Sequence, residues 1–226
     1  LYPDYTDLYF LRAETLEQEG KIMEAIQAYR ACIDQGEPPV TYSSMSGSGS
    51  YTAHYRIGFM YSEIEESENA LEAYFDALQC NTSYVPAVHA IAAELVKSKT
   101  NEEIEALLRR QFDLNIPIAN QYFAEAFSGA GAFGMALFFL HQYERLSPSL
   151  PENLYLLKAQ CLFFCGDLQQ AYGMFNQIPD YSQKYVRASF FKCIYYWLCG
   201  DYSESLNILD ILRQANRFAP YEIEMC

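Results

Sequence analysis

Cys161 and Cys165 stand one helical turn apart. Their thiols would share a helix face and supply half of a tetrahedral metal site if two more ligands converged on them. The chain has seven cysteines, none in a CxxC pair. The commoner use of such scattered cysteines is as small apolar core residues in a reducing compartment, so no disulfide is expected. His54, His89 and His141 lie far apart, none at ligand spacing from another histidine. The sequence has no GxSxG, GxxxxGK[ST] or GxGxxG, and no Asp-x-Asp to hold a metal-bound nucleotide diphosphate. Gly47-Ser48-Gly49 follows no strand pattern and reads as a loop, not a phosphate cradle. The carboxylates of Glu63, Glu65, Glu66 and Glu68 read as a solvated helix end and turn. No catalytic, cofactor-binding or metal-binding residue is therefore expected, and the chain is not read as an enzyme.

Bulk properties point the same way. With 226 residues and 51% hydrophobic content, the chain can bury a substantial core, and its formal net charge is -14. That charge repels phosphate backbones and anionic lipid, which argues against nucleic acid and leaves neutral, basic or apolar partners. No stretch approaches the roughly 20 apolar residues of a membrane span, and no signal pattern opens the chain, so a cytoplasmic location is expected. The sequence begins at Leu1, already inside patterned residues, as a fragment of something longer would.

The elements behind these residues are set by a repeat. In a frame of about 34 positions, Ile57, Gly58, Tyr61, Ala70, Tyr74 and Ala77 fall on positions 7, 8, 11, 20, 24 and 27. The position-20 residue recurs as Ala25, Ala70, Ile104, Ala136, Ala171 and Ser205, at steps of 45, 34, 32, 35 and 34. Position 15 is glycine in four copies: Gly20, Gly131, Gly166 and Gly200. Apolar residues three and four apart, such as Ile26, Tyr29 and Ile33, make each segment an amphipathic helix. Glycine ends the first helix of a pair in a left-handed conformation, and small residues at positions 8 and 20 let the pair approach closely.

This is the tetratricopeptide pattern. It predicts an all-α fold, a right-handed superhelical solenoid of about six helix pairs, near 5–35, 51–80, 84–113, 117–146, 152–178 and 182–214. Helices are expected at 5–18, 22–35, 51–64, 67–80, 84–98, 101–113, 117–130, 133–146, 152–165, 168–178, 182–199 and 202–214. The whole chain, 1–226, is read as one solenoid. The third copy is the weakest, with Ile104 and Lys99 at the small-residue and glycine positions. The long first step places an insertion at 36–50, rich in Gly, Ser and Pro, which is a loop with either a contact role or none.

Partners of such stacks dock on the concave face, lined by the first helix of each pair. Positions 5, 9 and 12 bring Phe10, Glu14, Tyr55, Phe59, Gln121, Glu125, Leu156, Gln160, Phe163, Phe190 and Trp197 toward that groove. The lining is aromatic and acidic with hardly a lysine, so it lacks a basic clamp for a C-terminal carboxylate. A protein or peptide partner is expected. The last pair carries Phe190, Phe191, Ile194, Tyr195, Tyr196, Trp197 and Leu198, apolar enough to expect a homodimer contact or a further helix there.

One stretch carries more than the generic repeat. Asp7-Leu-Tyr-Phe-Leu-Arg-Ala13, Gly20-Lys-Ile-Met-Glu-Ala-Ile26, Cys32-Ile-Asp-Gln-Gly-Glu-Pro-Pro39 and Gly47-Ser-Gly-Ser-Tyr-Thr-Ala-His-Tyr-Arg-Ile-Gly-Phe-Met-Tyr61 together resemble the C-terminal repeat region of bacterial family 2 glycosyltransferases, a likeness that fades beyond about residue 98. In that family an α/β nucleotide-sugar domain precedes the repeats, and no such domain is present here. The resemblance implies an accessory region that positions an acceptor, docks on the transferase domain or self-associates. A free-standing adaptor for a peptide or regulatory partner is the alternative.

Overall fold

The computed structural model describes residues 5–39 and 43–214. Among the described residues there are twelve helices and no strand: α1 Thr6–Gln18, α2 Ile22–Gln35, α3 Tyr51–Glu63, α4 Ser67–Cys80, α5 Val85–Ser98, α6 Asn101–Gln111, α7 Pro117–Gly129, α8 Phe133–Leu146, α9 Glu152–Phe164, α10 Leu168–Asn176, α11 Tyr185–Leu198 and α12 Tyr202–Gln214. Three helices, α6, α10 and α11, are shorter than the pattern predicts by two residues or more. Phe112 is extended just after α6, and α10 stops at Asn176. α11 starts late because residues 179–184 form a turn closed by the Ser182 N–H on the Pro179 carbonyl and the Lys184 N–H on Ser182 Oγ.

The turn within each pair has a single physical design. Gly20, Gly131, Gly166 and Gly200 all have φ between 73° and 89°. Each donates its N–H to the carbonyl three residues back, and the next residue donates to the carbonyl five back, as in Gly20 to Glu17 and Lys21 to Leu16. This Schellman pattern satisfies the last carbonyls of the first helix. The second copy has the same bonds, Glu65 to Ser62 and Glu66 to Tyr61, with Glu65 at φ 61° in the glycine's place. The third copy uses another device. Lys99 is extended, and Thr100 forms a capping box with Glu103 that starts α6.

Behind the turns, the small-residue rule holds in space. The position-20 residues Ala25, Ala70, Ala136 and Ala171 are wholly inaccessible, as are Ala13, Ala92, Ala124 and Ala159 at position 8. Position 24 supplies the bulk that fills the pairs, including Tyr29, Tyr74, Leu108, Leu140 and Phe175, all buried. Gly58 shows how tight the approach is: a Cβ there would sit 2.5 Å from the Tyr74 ring.

The chain divides between Asp113 and Leu114 into two compact units. The first holds α1 to α6, with α1 packed on α2, α3 on α4, and successive pairs meeting through α2 with α3 and α4 with α5. The second holds α7 to α12, paired in chain order, with α8 meeting α9 and α10 meeting α11. One core of the second unit gathers Leu156, Ala159, Leu162, Ala171, Phe175, Ile178, Ala188 and Phe191.

The insertion is tied to the first helix. Asp7, almost fully buried at the start of α1, accepts the Met45 N–H at 2.8 Å and the Ser48 hydroxyl at 2.7 Å. Thr6 Oγ1 donates to the Gly36 carbonyl and Tyr5 OH to the Ser43 carbonyl. Gly49 lies so close to Gly36 that a Cβ would fall 2.0 Å from the Gly36 oxygen. The Gly47-Ser48-Gly49 run is thus shaped for packing: Ser48 reaches Asp7, and Gly49 admits the neighbouring backbone.

Candidate partner-binding groove

α7, α9 and α11 are the first helices of the three pairs in the second unit, and a cleft of about 470 Å³ opens across them. α9 supplies the floor with Leu156 and Gln160, both nearly buried, and Asn153 and Leu157 beside them. α7 contributes Glu125 and Ser128. From α11 and its N-cap come Phe191, Arg187 and Lys184. Aromatic rings pack along one wall: Phe164 stacks on Phe133 with centroids 4.4 Å apart, and meets Phe191 edge-on at 5.8 Å.

Polar groups in this cleft are unequally satisfied. Glu125 accepts a hydrogen bond from Gln121 Nε2 at 3.0 Å. Cys161, behind the floor, donates weakly to Ser128 Oγ at 3.8 Å, and burial pushes its thiol up to about 11, so it is protonated at neutral pH. Gln160 is only 7% exposed, and its Nε2 has no hydrogen-bond partner. A buried amide donor without an acceptor costs about 1–3 kcal/mol, which a ligand carbonyl would recover.

Four of the sequence-predicted groove residues therefore meet at one place: Glu125, Leu156 and Gln160 line the cleft, and Gln121 holds Glu125. The others do not join them. Phe163 packs against the core around Phe175 and Phe191. Phe190 and Trp197 line a separate apolar cleft of about 440 Å³ between α11 and α12, with Tyr202, Leu206 and Leu209, and Trp197 is 58% exposed. In the first unit Phe10 is buried edge-on to Tyr29, and Glu14 is half-buried. Tyr55 lies between Tyr74 and Tyr84, at 5.7 and 5.5 Å. Phe59 sits under the Arg56 guanidinium, which also pairs with Glu17 and reaches Tyr29 OH at 3.4 Å. That network, together with the burial that raises the Tyr29 phenol above its ordinary range, makes this patch a packing junction.

The lining expected from the sequence has hardly a lysine, and the cleft of the second unit adds Lys184 and Arg187 to it. Neither residue falls on position 5, 9 or 12 of the repeat. Asn153 and Arg187 stand at the same distance before their markers Ala171 and Ser205, so the repeat frame did contain a signal for them. Lys184 had none, since it belongs to the turn before α11. Among the described residues no three His, Cys, Asp or Glu side chains gather as a metal site, and Cys165 is exposed while Cys161 is buried. No described helix is long and apolar enough to cross a membrane.

Comparison with solved structures identifies the class of fold. The chain is similar to a tetratricopeptide repeat protein from Parabacteroides merdae, at a TM-score of 0.50 and 12% identity over 93% of this chain and 79% of that one. It is also similar to the C-terminal part of a TPR repeat-containing protein from Cytophaga hutchinsonii, at 0.51 and 13% over 98% and 88%. At such identities the likeness is one of fold: the chain is built of tetratricopeptide helix pairs. No family model matches the sequence, and no curated protein matches it.

Proposed function

We propose that this chain is a protein-interaction scaffold whose second unit holds a partner segment in the cleft across α7, α9 and α11. The observation that carries this reading is the cleft itself, formed by the first helices of three successive pairs, with an apolar floor, aromatic walls and a few convergent polar groups. Nothing in it is assigned a catalytic role.

A test is selection of random dodecapeptides on the immobilised chain, followed by binding of the winners to Leu157→Arg. The half-buried Leu157 lines the cleft, so its replacement should abolish binding while leaving the helical circular dichroism unchanged. Winners that bind the variant equally well, or no winners at all, would sink the proposal.

The wider context rests on the resemblance of residues 7–98 to glycosyltransferase repeat regions. On that reading the chain is the cytoplasmic accessory region of a bacterial transferase, which positions an acceptor or docks on the catalytic domain. The competing reading is a free-standing adaptor, and the coding sequence upstream of Leu1 separates the two. A second use of the fold, self-association through the last helix pair, is favoured by the exposure of Trp197, Leu198, Tyr202, Leu206 and Ile211 on α11 and α12.

A further inference from the structure

We propose that the segment bound in the second unit's groove is an extended acidic peptide. Gln160 would donate its amide to a backbone carbonyl of that peptide, and Lys184 and Arg187 would take its Asp or Glu side chain. This inference rests on the groove reading above and adds the chemistry of the ligand.

Three observations lead to it. The first is the orphaned Gln160 Nε2, in a side chain more than nine-tenths buried and lining the cleft. Nε2 is itself inaccessible and has no acceptor, and a rotation of the amide toward the cleft would let a carbonyl that arrives with the ligand supply one. An extended segment offers such acceptors, because its carbonyls are not engaged in a helix of its own.

The second is charge. In a chain of net charge -14, this cleft is lined by two cations, Lys184 and Arg187, three residues apart at the start of α11. Residues at that spacing lie on one helix face, so the two charges can act on one carboxylate. The third is the state of the lone carboxylate in the cleft. Glu125 is held by Gln121 from its own helix, and no hydrogen bond or ion pair joins it to Lys184 or Arg187. Glu125 therefore engages neither cation, and an incoming carboxylate could pair with both.

The test uses an array of N-acetylated, C-terminally amidated dodecapeptides in matched pairs. One member of each pair carries internal Asp or Glu, and the other carries Asn or Gln at the same positions. Amidation removes the chain terminus as a source of charge. The acidic members should bind about tenfold more tightly than their amide twins. That preference should disappear in Arg187→Glu and Lys184→Glu, while Gln160→Leu weakens acidic and neutral members alike. Arg187 is exposed, so its variant reports on binding even if Gln160→Leu proves poorly folded by circular dichroism. Equal binding of the twins, a preference for the neutral ones, or an acidic preference that survives Arg187→Glu overturns the inference. If neutral members bind and lose their binding in Leu157→Arg, the groove stands and only its acidic specificity falls. If nothing binds, both fall.

Discussion

Glu65 holds a backbone conformation that four of its counterparts assign to glycine. At φ 61° it is the non-glycine residue with positive φ among the described residues, and its hydrogen bonds are those of the glycine turns. A left-handed backbone costs an L-residue about 1–2 kcal/mol, of which roughly half is offset by the smaller unfolded-state entropy of a non-glycine residue. Glu65→Gly should therefore stabilise the chain by about 0.5–1 kcal/mol in urea unfolding, and a lower midpoint would refute the strain. Glu94 is the opposite case, a buried carboxylate that is fully supplied. Burial alone would raise its pKa, but hydrogen bonds from Lys97 at 2.8 Å, Ser62, and Ser67 at 3.0 Å outweigh this and hold it below the ordinary 4.5. Since the folded state prefers the ionised form, the stability from Glu94 is present above pH 4.5 and is lost as pH falls through the lower folded value. Glu94→Gln should lose about 1.5–3 kcal/mol at neutral pH, and its deficit should shrink toward zero in acid. A deficit that does not change with pH would mean the ionised form matters little.

At the scale of elements, most of what forms the hairpins was legible in the sequence. Periodic apolar residues and a left-handed glycine act within one turn of chain, so Gly20, Gly131, Gly166 and Gly200 announced their turns without reference to the rest of the molecule. The third turn was less legible because its device is different: Lys99 carries no turn signal, and the Thr100–Glu103 capping box starts α6 in place of a glycine. The insertion was legible as a loop but not as a latch. Its hydrogen bonds join Asp7 to residues 38 and 41 positions away in sequence, a pairing that only the tertiary fold makes. Asp7→Ala strands the Met45 N–H and the fully buried Ser48 hydroxyl, and should cost about 1–3 kcal/mol. It should also speed proteolysis within residues 43–50, measured as the appearance of a nick at fixed protease. Unchanged cleavage would show that the loop is held by the Gly36–Gly49 contact alone.

At the scale of the whole molecule, two surfaces of the second unit differ in character, the cation-bearing groove and the apolar cleft of α11 and α12. The chain's one tryptophan lies at that apolar cleft, 58% exposed, which makes self-association easy to follow. If a second copy covers the apolar cleft, Trp197 emission should shift to the blue as concentration rises, and Trp197→Arg should leave a monomer at every concentration tested by light scattering. Constant emission alongside a constant molar mass would leave this cleft without a self-contact. What the sequence by itself determined was the all-α class and the turns that glycine makes, because each follows from periodicity over a few residues and from backbone sterics. Only the tertiary structure decided that the described helices fall into two units, that Phe10 packs on Tyr29 and Phe163 against the core around Phe175, and that Lys184 and Arg187 line one cleft with Gln160. Those outcomes depend on how successive helix pairs stack, and stacking is set by contacts between side chains tens of residues apart, which no local pattern records.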